Sequence, residues 1–263
     1  MPRMLRYDHY YTIGTTHPIC EDYVTQGDTP TPFMVLSDGC SSAENSDAGA
    51  RILTLTAKHM IETAAKWPLN YLDFGQQLID NALDITEKLQ LPDSVLDATV
   101  MLAFLYQNTI MVYIYGDGCL LFKDHDGNLG TIEIAFTHNA PYYLTYWYDK
   151  ERQQDYAKCG PNPLLLIDSV NGQSEPKPFQ KQLTFCFPLK KFKVVAIASD
   201  GASQCVDTRQ NTFIPLYDVA THLLAFQNQT NEFVKRHTES ALEDYAVQGI
   251  YPADDLSIGV FAQ

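Results

Sequence analysis

Three apolar runs in this chain end in an aspartate followed by glycine: Phe33-Met34-Val35-Leu36-Ser37-Asp38-Gly39, Tyr113-Ile114-Tyr115-Gly116-Asp117-Gly118 and Val194-Val195-Ala196-Ile197-Ala198-Ser199-Asp200-Gly201. Runs of this composition read as β-strands. A strand end is a rigid platform, and the glycine permits the sharp turn that brings a backbone carbonyl close to whatever the carboxylate binds. A single Asp-Gly reads most simply as a turn; three at strand ends are harder to dismiss. Two acidic pairs flank further apolar runs, Glu21-Asp22 before Tyr23-Val24 and Asp254-Asp255 before Leu256-Ser257-Ile258. Carboxylates gathered at neighbouring strand ends repel one another unless a cation lies between them. Hard divalent ions with oxygen ligands suit this inventory, whereas zinc favours histidine or thiolate. The histidines show no metal-binding spacing, and no pair of the six cysteines has Cys-x-x-Cys spacing, so the cysteines are expected to be reduced thiols.

The remaining pattern constrains the fold. Strands are expected at 33–36, 99–106, 109–115, 131–136, 194–198 and 256–261, and helical spacing runs over 46–66, 72–89, 216–226 and 231–247. Because strands and helices come in blocks, the chain reads as α+β rather than as a doubly wound parallel sheet. With 263 residues and 45% hydrophobic content, one domain over 1–263 is expected. The polar, aromatic stretch 142–181 has no clear period and reads as an irregular insertion or flap. Lys123-Asp124-His125-Asp126-Gly127-Asn128 resembles the Asp-x-Asp-Gly signature of haloacid-dehalogenase-type phosphatases, but its place between two apolar runs favours a hairpin turn.

The net charge of −14 disfavours nucleic acid and anionic membranes as partners, and Lys190, Lys191 and Lys193 lead straight into an apolar run instead of forming a basic patch. No segment has the apolar length of a spanning helix, and the start lacks a signal-like apolar stretch, so a cytoplasmic monomer is expected.

Taken in order, these motifs resemble the metal-dependent protein phosphatases (PPM, the type 2C serine/threonine phosphatases), particularly their compact bacterial branch. Gly14-Thr15-Thr16-His17-Pro18-Ile19-Cys20-Glu21-Asp22 is similar to the opening segment. Ser37-Asp38-Gly39 and the residues to Ala50 resemble the Asp-Gly segment and following helix. Gly116-Asp117-Gly118-Cys119 stands at the Gly-Asp-Ser-Arg motif, Ala198-Ser199-Asp200-Gly201 at Ala-Ser/Thr-Asp-Gly, and Asp254-Asp255-Leu256-Ser257 at the closing Asp-Asn-x-Thr. The resemblance implies a central sandwich of two antiparallel β-sheets flanked by helices on both outer faces. It further implies two manganese or magnesium ions bridged by Asp38, with Asp22 and the Gly39 carbonyl on one, Asp200 and Asp254 on the other, and Asp117 holding a weaker third. A bridging hydroxide would then hydrolyse phosphoserine or phosphothreonine in a phosphorylated protein. Asp38, Asp22 and His17 would be the catalytic residues, His17 standing where many members carry a phosphate-binding arginine. Cys40 replaces a general-acid histidine of some members, and Cys119 replaces the motif's arginine. The alternative is a catalytically inactive module of the same fold that binds a protein or phosphorylated ligand.

Overall fold

The computed structural model describes residues 4–158, 164–178 and 182–263. In chain order, β1 (Arg6–Thr12), β2 (Asp22–Gly27) and β3 (Phe33–Gly39) lead into α1 (Ser46–Thr63) and α2 (Tyr71–Leu89). Four strands follow, β4 (Ala98–Tyr106), β5 (Thr109–Tyr115), β6 (Gly118–Asp124) and β7 (Leu129–Phe136), then two short helices, α3 (Thr145–Tyr148) and α4 (Lys150–Ala157). The hairpin of β8 (Leu164–Val170) and β9 (Gln173–Pro178) precedes β10 (Thr184–Pro188) and β11 (Phe192–Ala198). The chain closes with β12 (Cys205–Asp207), β13 (Thr212–Phe213), α5 (Leu216–Leu223), α6 (Phe233–Gln248), β14 (Ile250–Pro252) and β15 (Leu256–Ala262).

Two antiparallel sheets form the centre, ordered β1-β15-β11-β6-β7-β8-β9 and β10-β5-β4-β3-β2, with β13-β12-β14 as a small outlying sheet. Side chains alternate faces along each strand, so every central strand serves two cores. Val35, Val100, Leu102 and Phe104 pack outward against Leu53, Ile61, Phe74 and Leu78 of α1 and α2. Ala196, Ile258 and Val260 pack outward against Val219, Val234 and Ala241 of α5 and α6. Met34, Leu36, Met101, Val195, Ile197 and Phe261 meet between the sheets. This is the α+β sandwich with helices on both outer faces.

The stretch 142–181 departs from its expected irregularity. It holds α3, α4 and a hairpin that extends the seven-stranded sheet beyond β7; residues 159–163 and 179–181 of that expectation lie outside the described residues. Asp124 ends β6 at a hairpin turn, where its carboxylate accepts from the Asp126 and Asn128 amides and the Asn128 side chain. The described cysteines are free thiols. Among the described residues, no helix is long and apolar enough to cross a membrane.

Candidate metal centre

The centre follows from the period of the strands. The positions that face between the sheets are Met34 and Leu36 on β3, Val24 on β2, Met101 on β4 and Ile197 on β11. Two residues further toward one end of the sandwich, the same faces carry Asp38, Asp22, Thr99 and Ser199 instead. Asp22, Asp38 and Thr99 are register partners across β2, β3 and β4. On the opposite sheet the Ser199 amide donates to the Ser257 carbonyl, which fixes Asp200 and the Asp254-Asp255 pair beside them. Asp117 occupies the connection that carries the chain from β5 in one sheet to β6 in the other. Gly116 and Gly118 on either side of it have φ of 112° and 119°, a region L side chains rarely enter.

These elements enclose a cleft of about 230 Å³ lined by Asp38, Gly39, Thr99, Asp117, Asp200 and Asp254, with Cys40, Ser41 and Ser42 on one wall. Asn139, Pro141 and Tyr143, from the segment after β7, complete its lining. Among the described residues, no lysine, arginine or histidine side chain lines it. Burial pushes the Asp38 carboxyl well above its ordinary value, and the charges of Asp22, Asp200, Asp117 and Asp254 add to the shift. Burial likewise raises Asp200 to about 7, aided by Asp117 and Asp254, and Asp117 to about 6, against the opposing Thr99 hydrogen bond of 2.5 Å.

Asp22 lies behind the cleft and is not among its lining residues. It is fully buried, and neither carboxylate oxygen has a hydrogen-bond partner. Burial drives its carboxyl well up, although the nearby Ser199 and Ser257 hydroxyls oppose the shift. His17 also stands outside the lining, with Nδ1 3.2 Å from Asp255 and 3.6 Å from Glu21, and Nε2 3.4 Å from Asp254. Burial alone would lower its pKa, but the Asp255 hydrogen bond and the charges of Asp254, Asp255 and Glu21 raise it.

Three supporting residues lie outside the predicted ligand set, one of them, Asp255, in an acidic pair that the sequence singles out. Gln204 donates to Asp200 at 2.7 Å and to Asp254 at 3.1 Å, tying together two carboxylates 54 positions apart in the chain. Asp255 accepts from the Gly14 and Glu21 amides at 2.7 and 2.6 Å and so fixes the loop that carries His17. Tyr143 lines the cleft, and burial raises its hydroxyl pKa further above the ordinary tyrosine value. The pairing of Asp254 with Asp255 was a visible signal for the second; nothing local marks Gln204 or Tyr143.

The sequence profile of the protein phosphatase 2C family matches residues 15–243, most of the chain. The chain belongs to this family. No curated protein sequence is similar enough to match it. Among solved structures, the Staphylococcus aureus serine/threonine phosphatase Stp1 is similar with a TM-score of 0.56 at 15% identity, covering 99% of this chain and 96% of its own. The S. agalactiae serine/threonine phosphatase gives 0.55 at 14%, covering 98% and 99%. The catalytic domain of the serine/threonine protein phosphatase PstP, in complex with two manganese ions, gives 0.51 at 14%, covering 98% and 97%. At these identities the likeness shows the shared fold.

Proposed function

We propose that this phosphatase 2C family member hydrolyses phosphoserine and phosphothreonine in proteins and depends on divalent metal ions. The observation that carries the reading is the convergence of Asp38, Asp117, Asp200 and Asp254 on one cleft with no cationic side chain among the described lining residues. The donor set fits a hard cation: carboxylate oxygens, the main chain at Gly39 and, behind them, the unpartnered oxygens of Asp22. Asp38, Asp22 and Gly39 would hold one ion, Asp38, Asp200 and Asp254 a second, and Asp117 a weaker third. Magnesium or manganese bound there would neutralise charge on the phosphoryl oxygens and lower the pKa of a water. The manganese complex of PstP, which shares the fold, supports this choice.

The chain's own residues do the positioning. Gln204 keeps the Asp200 and Asp254 carboxylates aimed at the same space. Thr99 donates to Asp117 and orients it. Both ring nitrogens of His17 face carboxylates, so it acts as a brace on Asp254 and Asp255 and not as the planar phosphate grip an arginine would give. The Cys40 thiol lies 3.0 Å from the Ser42 hydroxyl, and burial keeps the Tyr143 hydroxyl protonated at the cleft wall. Carboxyls with raised pKa values give up their protons when a cation takes their place.

The test is phosphate release from a phosphothreonine peptide by metal-stripped protein, with and without added manganese, for the wild type and for Asp38→Asn. Manganese-dependent release that the substitution lowers at least about a thousandfold is expected. Well-folded wild-type protein that binds manganese yet releases no phosphate would favour the inactive binding module instead.

A further inference from the structure

The segment that supplies Asn139, Pro141 and Tyr143 to the cleft, its roof, is held by the side chain of one residue, Asp97, whose main chain also braces the aspartate-lined side, its floor. Asp97, buried at the turn before β4, receives Arg152 of α4 in a two-pronged contact of 3.0 and 2.7 Å and the Thr145 hydroxyl of α3 at 2.6 Å. Its main-chain carbonyl accepts from the Cys40 amide at 2.9 Å, one residue beyond the Asp38-Gly39 pair. The Arg152 guanidinium lies 4.4 Å over the Tyr146 ring. Tyr146 packs in turn on Tyr142 and Tyr156, and the Tyr156 hydroxyl donates to the Ala140 carbonyl at 2.7 Å. Asn139, Pro141 and Tyr143, the residues that share the cleft with the aspartates, are therefore bracketed by contacts that end on Asp97. None of the residues of the short helix α4 is fully buried, so beyond the Tyr156 ring contacts it has little apolar packing to hold it. A partly buried, bidentate arginine–carboxylate pair adds strength and fixed geometry.

We propose that the Asp97–Arg152 pair is a latch that fixes the roof over the acidic floor and thereby selects extended phosphopeptides over small phosphate esters. The proposal rests on the phosphatase reading above for its substrate half. A small aryl phosphate needs only the floor, whereas a peptide must lie between floor and roof, so loosening the latch penalises the peptide. Arg152 and Asp97 are positioning residues: they hold the roof and touch no reacting atom.

The test compares wild-type protein with Arg152→Gln, Arg152→Lys, Asp97→Asn and the Asp97→Asn/Arg152→Gln pair. Hydrogen–deuterium exchange on metal-free protein should rise in peptides covering 141–157 by roughly tenfold in Arg152→Gln, as expected for loss of one charge-assisted pair. The α2 peptides serve as an unchanged control. Lysine, a point charge without the planar fork, should restore only part of the protection, and the double variant should be no worse than the worse single one. With manganese present, KM for a phosphothreonine peptide should rise about tenfold in Arg152→Gln while kcat/KM on p-nitrophenyl phosphate stays within about twofold. Unchanged exchange at 141–157 overturns the latch, whatever the protein turns over. Raised exchange with equal losses on both substrates overturns its role in selection. If the wild type hydrolyses neither substrate, the phosphatase reading fails and the selective role with it, while the exchange comparison still decides whether the latch exists.

Discussion

At the residue scale, the site is a set of carboxyls held in a state they would not choose in water. Asp38 has no compensating cation among the described residues of the cleft and faces four other aspartates, so its removal acts in two directions. Asp38→Asn should abolish turnover, yet in metal-free protein at pH 7.5 it should raise Tm by roughly 5 °C, because a neutral amide relieves the crowding; differential scanning calorimetry on stripped protein checks this. Gln204→Leu should weaken manganese binding about tenfold, the usual effect of losing a hydrogen bond that orients a metal ligand, with little change in the melting of the metal-free form. The two residues were unequally legible. Asp38 announces itself because its strand and its glycine are adjacent in the chain, whereas Gln204 gains its role only when the fold sets it between Asp200 and Asp254, the latter 50 positions away.

At the element scale, the strand ends are placed by contacts that admit no side chain. A Cβ on Gly201 would stand 2.0 Å from the Asp255 carbonyl oxygen, so the turn after β11 and the loop before β15 can touch only if that residue is glycine. Gly201→Ala should cost roughly 3 kcal/mol or more by urea denaturation, and it should weaken metal binding as well, since it pushes Asp200 from Asp254. The central strands were legible because they alternate or run apolar within a few residues, as in 99–106 and 109–115. The first strand, Arg6–Thr12, was not, because its half-buried tyrosines and histidine carry no clean period. The segment after β7 gives no signal for a related reason: α4 has no buried residue, so it leaves no apolar stripe, and among its contacts is Arg152 with Asp97, 55 positions apart.

At the scale of the whole molecule, the sandwich has an apolar interior that turns polar at one end, and that change is the site. The inward face of β3 shows it within one strand, from Met34 and Leu36 to Asp38. The layering was legible from the blocks of strands and helices; the pairing order of the sheets was not, because β15, last in the chain, lies between β1 and β11. The acidic end also makes stability depend on pH. Carboxyls whose folded pKa values lie above the unfolded value of 3.8, such as Asp117 at about 6 and Asp200 at about 7, bind more protons folded than unfolded between those limits. Their contribution is fully present below about pH 4 and is lost as pH rises through 6 and 7. Metal-free protein should therefore lose Tm between pH 5 and pH 7.5, and manganese should restore most of the loss at the upper end. The most direct test of the metal centre is a calorimetric titration of manganese into stripped protein at pH 6.5 in buffers of different ionisation enthalpy. Wild-type protein should bind manganese with release of about one proton or more, and Asp38→Asn should lose binding; manganese that binds with no proton release, or that binds the variant equally well, would rule out a metal centre built on these carboxylates.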